Sequence, residues 1–327
     1  MTERQATALW VVGPGRAELR TEALPALGPG DVQVRAVWSG VSRGSESLVL
    51  RGGVPEALHD SMRAPFQAGA FPWPVKYGYV SVGLVEAGAM PGGAPVFCLF
   101  PHQDRYVVPA QSVVPLPTGL PLERAVLAAN LETAVNGVWD AAVGPGDRVC
   151  VVGAGVVGAL VAWLCAQIPG TEVELVDVVD RSELAARLGV RFAAPADAAG
   201  DRDRVFEASG AASGLATALG LAGVEAEVVA LSWYGDAAVQ VPLGAAFHSQ
   251  RLVVRSSQVG RVPAARAPRW TLRRRLALAL RLLANAPALD ALLDSEGTFA
   301  DLPGDLPRLA DSSGRVLCHR VRYPGED

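Results

Sequence analysis

Apolar and polar positions follow two different periods along this chain, and the change of period divides it. From residue 31, "DVQVRAVWSGVS" sets Val32, Val34 and Ala36 against Gln33 and Arg35, the period of two that predicts a half-buried strand. "YGYVSVGLVEAG" and "DRYVVPA" predict further short strands broken by Gly and Pro, and no long stretch of helical period interrupts them before about Leu122. From there "LERAVLAANLETAVNGVWDAAV" predicts a helix. The strands "RVCVV", "VELVDV", "RVFEAS", "AEVVALSW" and "RLVVRSS" follow, with helices predicted at "RSELAARLG" and "SGLATALGLA". Such βαβ alternation implies a parallel sheet covered on both faces, an α/β fold. Beyond Gly260 the pattern gives way to a long helix, Pro-rich turns and a last strand, "RVLCHRVRY". The expected division is a β-rich domain over 1–119, a parallel α/β domain over 120–260 and a C-terminal return over 261–327 that completes the first.

Residues 149–168, "VCVVGAGVVGALVAWLCAQI", carry no charge and are long enough to span a bilayer. The glycines argue otherwise. Gly153, Gly155 and Gly158 form G-x-G-x-x-G directly after an apolar strand, and helical character begins only after them. Gly153 makes the turn, Gly155 lets the backbone approach a pyrophosphate, Gly158 lets helix and strand pack closely, and the pyrophosphate sits on the helix N-terminus. Asp177 ends the next strand, where such a fold places the carboxylate that binds the adenosine ribose hydroxyls. This run is therefore a buried βα unit.

Composition narrows the partners. The 327 residues carry 29 Lys and Arg against 33 Asp and Glu, a net charge of −4, and no basic stripe, which disfavours nucleic acid. Arg273, Arg274 and Arg275 stand in "TLRRRLALALRLLA", where Leu272, Leu276, Ala279, Leu280 and Leu283 recur at helical spacing, so the arginines are expected on a solvated helix face. Cys98, Cys150, Cys165 and Cys318 form no C-x-x-C pair and are expected as buried thiols of a cytoplasmic protein. "MTERQATALW" has no apolar signal core.

"GDVQVRAVWSGVS", "GPGDRVCVVGAGVVG" and "DRVFEASG" give the whole chain a resemblance to the medium-chain dehydrogenase/reductase superfamily. The resemblance implies a GroES-like β-rich catalytic domain and a Rossmann domain with a doubly wound parallel sheet. It also implies an NAD site formed by Gly153, Ala154, Gly155, Val156, Val157, Gly158, Asp177 and Arg181, with Ala208, Ser209 and Gly210 toward the nicotinamide. "VSRGSES", "KYGYVSVG", "PHQDRYVVPA", "NLETAVN", "LSWYGD", "FHSQRL" and "SSQVG" are similar to a subgroup that resembles the dehydrogenase acting on a hydroxyethyl bacteriochlorophyllide. That similarity speaks to architecture and leaves the substrate open.

Zinc members of the superfamily carry Cys in G-[IV]-C-x-[ST]-[DE], a His-Glu pair in G-H-E, a ligand near the domain junction and a four-Cys lobe. Here residues 40–46 are G-V-S-R-G-S-E, with Ser42 for the Cys; the G-H-E position is Tyr77-Gly78-Tyr79; the junction offers Glu132; and "FCLF" runs almost directly into "PHQDRYVV". Tetrahedral zinc needs three or four Cys, His or carboxylate ligands. His102, Glu132 and Glu46 are the donors from which a replacement set could be drawn, and no metal is expected.

The polar residues at these positions, Ser42, Arg43, Ser45, Glu46, Tyr79, His102 and Glu132, become the candidates for handling an alcohol proton. His102 is the natural base or shuttle, and Tyr79 and Arg43 the groups that stabilise an alkoxide. Each has a plain structural alternative: Arg43 could pair with Glu46, Tyr79 could be a packed aromatic, Glu132 a brace. The expected activity is NAD(P)-dependent interconversion of a secondary alcohol and a ketone on a polar metabolite, by a homodimer with no membrane partner. A zinc-independent quinone or enoyl-type C=C reductase, or a nucleotide-binding protein without catalysis, are the alternatives.

Overall fold

The computed structural model describes residues 4–311 and 315–325. The first three residues of the N-terminal segment inspected for an export signal lie outside them. The chain forms two compact units, residues 1–129 with 280–327, and residues 130–279. These limits fall inside the helices Ala128–Ala141 and Leu272–Ala284, beyond the expected divisions at 119/120 and 260/261.

In the first unit the long strand Asp31–Val41 is central. It pairs antiparallel with Ser81–Gly88, with Arg105–Pro109 and with the final strand His319–Arg322, and the sheet continues through Pro95–Cys98 to Val113–Pro115. A smaller sheet joins Arg16–Ala23, Gln5–Gly13, Val75–Lys76 and Ala68–Gly69. Val32, Val34, Val85, Val96, Tyr106, Val108 and Val113 make one core, as the period of two requires. The alternation fails at Gln33, which is buried because its amide accepts from Arg4 and donates to Glu86. A helix, Arg43–Arg51, also stands inside the region expected to hold only strands. Its buried Leu48, Val49 and Leu50 form a contiguous apolar run, which hides a helical period in so short an element.

The second unit holds six parallel strands in the order Arg191–Ala193, Glu172–Val176, Arg148–Val152, Arg202–Glu207, Ala222–Ala230, Val253–Ser256. Numbered along the chain, that order is 3-2-1-4-5-6, the doubly wound Rossmann arrangement. Buried on both faces, the central strands are almost continuously apolar: Val149, Cys150 and Val151 are fully buried. The uncharged run divides into Arg148–Val152 and the helix Val156–Ala166, and no described helix is long and apolar enough to cross a membrane.

One expectation fails in this unit. Arg273 and Arg274 are exposed, but Arg275 is buried, with only 1% of its surface accessible, because its guanidinium is consumed by Glu132, Asn136 and the carbonyls of Val259 and Arg261. All four cysteines are buried free thiols, each pushed up to about 12 by burial, which disfavours the thiolate.

Glu174 and Arg202 form a buried ion pair at 2.7 Å. Removing Arg202 leaves the buried Glu174 only the Ala199 N–H and the exposed Arg191, 3.7 Å from its other oxygen, so Arg202→Met should cost about 3 kcal/mol, read from urea denaturation followed by tryptophan fluorescence. A change below about 1 kcal/mol would mean that Glu174 is relieved by water instead.

Candidate functional site

In the second unit the glycine turn follows Arg148–Val152, next to Arg202–Glu207, where the strand order reverses. Open α/β sheets bind ligands at that point. A Cβ on Gly158 would lie 1.8 Å from the Gly153 carbonyl oxygen, so only glycine lets the helix pack this closely on the turn. Gly155 caps the eleven-residue helix Val156–Ala166 without a side-chain bond, and a Cβ there would meet nothing within 4 Å. The first helical N–H groups, those of Val156 and Val157, have no partner within the helix, which begins its ladder with the Ala159 N–H on the Gly155 carbonyl. The residues fit the pyrophosphate of a dinucleotide.

Asp177 follows Glu172–Val176 directly. Its Oδ2 accepts from the Ala154 N–H at 2.6 Å and its Oδ1 from the Val179 N–H at 2.8 Å, which ties the carboxylate to the glycine turn. Beside it opens a cavity of about 570 Å3 whose lining includes Glu174, Asp177, Asp180, Ser182, Arg191 and Asp197. Arg181 stands at the head of the helix Ser182–Leu188. Ala208, Ser209 and Gly210 form the turn after Arg202–Glu207. Glu207, fully buried, accepts from the backbone and hydroxyl of Ser209 through Oε1 and from the Tyr234 hydroxyl through Oε2, while Gly210 donates to Ser232. Glu207, Ser232 and Tyr234 escaped the sequence analysis; the acidic end of the apolar strand "RVFE" was the signal available.

Glu132 belongs to this unit and bonds Arg275 at 3.1 Å. Burial pushes its carboxyl up to about 7, against the pull of Arg275. Through Arg275 it braces residues 257–261 at the carboxyl end of the last parallel strand.

In the first unit, eight polar residues assemble where Asp31–Val41 ends and Arg43–Arg51 begins. Glu46 is buried and accepts from the Ser42 N–H at 2.7 Å; its other oxygen meets His102 Nε2 at 3.0 Å. His102 Nδ1 meets Ser39 Oγ at 2.7 Å, and the Tyr323 hydroxyl donates to Ser39 at 3.1 Å. Gly78, at φ +125°, makes room for the imidazole, since a Cβ there would stand 2.9 Å from His102 Cδ2. Half-buried Tyr79 donates to Ser42 Oγ at 2.5 Å or to Ser45 Oγ at 3.0 Å. Burial raises its phenol pKa, the two serines lower it and Glu46 raises it again, so Tyr79 stays protonated. Arg43 is half-buried at the first helical position, and Glu46 pairs with His102. Ser39 and Tyr323 were absent from the sequence candidates.

Among the described residues no group of three or more His, Cys, Asp or Glu side chains is placed to hold a metal ion. Ser42 and Tyr79 bring hydroxyls to each other, and Glu46 and His102 are spent on each other. This donor set does not fit tetrahedral zinc.

No family model matches the chain. Solved structures do match over nearly its whole length. L-idonate 5-dehydrogenase of Escherichia coli str. K-12 substr. MG1655 is 17% identical and aligns over 98% of this chain and 99% of its own, with a TM-score of 0.80. A Sinorhizobium meliloti 1021 protein described as a zinc-binding dehydrogenase, bound to NADP, is 18% identical over 98% and 100%, with a TM-score of 0.78. 2R,3R-butanediol dehydrogenase of Bacillus subtilis is 17% identical over 98% and 100%, with a TM-score of 0.76. The fold is that of the medium-chain dehydrogenases, a GroES-like β-rich domain with a Rossmann domain.

With its folded pKa near 7 against a reference of 4.5, Glu132 binds its proton more tightly in the folded chain. Its contribution to stability is then fully present below about pH 4.5 and is lost as pH rises through 7, on the order of 3 kcal/mol. Thermal midpoints across this window should fall more for the parent than for Glu132→Gln; parallel curves would contradict the shift.

Proposed function

We propose that the chain is a nicotinamide-dependent oxidoreductase that interconverts a secondary alcohol and a ketone on a polar small metabolite, with NAD as cofactor and without catalytic zinc. The observation that carries this is the Tyr79, Ser42 and Ser45 hydroxyl cluster backed by Glu46 and His102, in a fold whose other unit has an open glycine turn with a carboxylate tied to it. NAD supplies the hydride acceptor, or in reduced form the donor. Gly153 to Gly158 hold its pyrophosphate, Asp177 its ribose hydroxyls, and Ala208, Ser209 and Gly210 flank the nicotinamide.

Oxidising the alcohol would pass a hydride from the carbinol carbon to NAD and the hydroxyl proton to water; reducing the ketone would take the hydride back and draw the proton from Tyr79, which water reprotonates. The protonated Tyr79 phenol donates to the carbonyl oxygen as charge develops on it, assisted by Ser42, Ser45 and Arg43. Burial, with a smaller push from Glu46, keeps that phenol protonated. Zinc is left out because the donor set does not fit it, and a C=C reductase gains no specific support. The strand Val253–Ser256 edges the parallel sheet with Val253 50% and Val254 40% exposed, which supports a homodimer paired along this edge. Four buried free thiols support a reducing compartment, the cytoplasm.

The acidic lining beside Asp177 repels a 2′-phosphate, so NADH should bind at least about ten-fold more tightly than NADPH in calorimetric titrations. Equal affinities would remove NAD from the proposal. Tyr79→Phe should lower turnover of secondary alcohols by about 100-fold or more while NADH affinity holds. Parent-like turnover would make Tyr79 a packing residue.

A further inference from the structure

His102 is the residue whose chemistry most invites a base role, yet its surroundings leave it no free lone pair. Counting hydrogens along the buried chain decides which ring nitrogen carries the proton. Two donors fix its ends: the Ser42 N–H points at Glu46 Oε1, and the Tyr323 hydroxyl donates to Ser39 Oγ. Ser39, fully buried, accepts from Tyr323 and so donates onward to His102 Nδ1 at 2.7 Å. Nδ1 is then an acceptor, the hydrogen of the neutral ring sits on Nε2, and Nε2–H donates to Glu46 at 3.0 Å. The opposite tautomer would aim an Nε2 lone pair at a carboxylate and leave the Ser39 hydroxyl proton with no acceptor among these residues.

We propose that Tyr323 and Ser39 are positioning residues that lock His102 as its Nε2–H tautomer, a donor, so that the chain ends at Glu46 as an acceptor and His102 takes no proton from substrate. Ser42 bonds Glu46 through its N–H and Tyr79 through its hydroxyl, so the chain reaches substrate through the Tyr79 phenol. Only this last consequence rests on the oxidoreductase reading. The tautomer itself does not.

Nitrogen-15 NMR of histidine-labelled full-length protein tests the tautomer without any substrate. The chain has four histidines, and His102→Gln assigns the signal by its disappearance. In the parent, His102 should give the shifts of an Nε2–H imidazole with an unprotonated Nδ1. Ser39→Ala removes the donor to Nδ1 and Tyr323→Phe removes the donor to Ser39. Each should lower the Nε2–H to Nδ1–H ratio by roughly five-fold, the factor carried by one net hydrogen bond, with far-UV circular dichroism unchanged. An Nδ1–H ring in the parent, or a ratio unmoved in both folded variants, overturns the proposal. An intact tautomer pattern in a protein that oxidises no alcohol would instead overturn the oxidoreductase reading alone.

Discussion

A carboxylate taken out of water must be met by donors, and Glu46 shows how much of a fold that one requirement can organise. Its two oxygens are met by the Ser42 peptide and by His102, and His102 is in turn oriented by Ser39. Four separate pieces of backbone must arrive together for this: the end of Asp31–Val41, the start of Arg43–Arg51, the loop before Arg105–Pro109 and the residue after His319–Arg322. An unpaired buried charge would cost several kcal/mol. The same cluster reaches outward through Ser42, whose hydroxyl accepts from Tyr79, a phenol that burial keeps protonated and so a donor. Packing and chemistry share one group.

The nucleotide unit is governed by a different limit, the closeness of backbone to backbone. The Gly158 Cα sits against the Gly153 carbonyl, the turn is tied to Asp177, and the helix start is left unsatisfied. A helix N-terminus of this kind favours an anion. The fully buried Glu207 plays a supporting part, holding the neighbouring turn and Tyr234.

These two limits also explain what the sequence discloses. The glycine spacing and Asp177 were legible because their demands act within one βα unit, and the parallel alternation was legible because each strand there is buried on both faces. Glu46, Tyr79 and His102 could be nominated individually, but their connections could not, since His102 meets partners 63 and 56 residues away and Tyr323 meets Ser39 across 284. Arg275 was misplaced for a related reason. Helical spacing locates the apolar stripe, whereas a guanidinium at its margin goes inward only if partners such as Glu132 and Asn136 wait there. The helix Arg43–Arg51 was missed because nine residues with three adjacent buried aliphatics show no period to detect.

At the centre of the account stands hydride transfer to NAD with hydroxyl groups, rather than a metal, handling the substrate oxygen. Its most direct test is a single-turnover measurement of NAD reduction by absorbance, with secondary alcohols, on protein exhaustively treated with chelator and then with or without added zinc. The account predicts the same rate in both samples. Activity that vanishes in chelator and returns with zinc would contradict it.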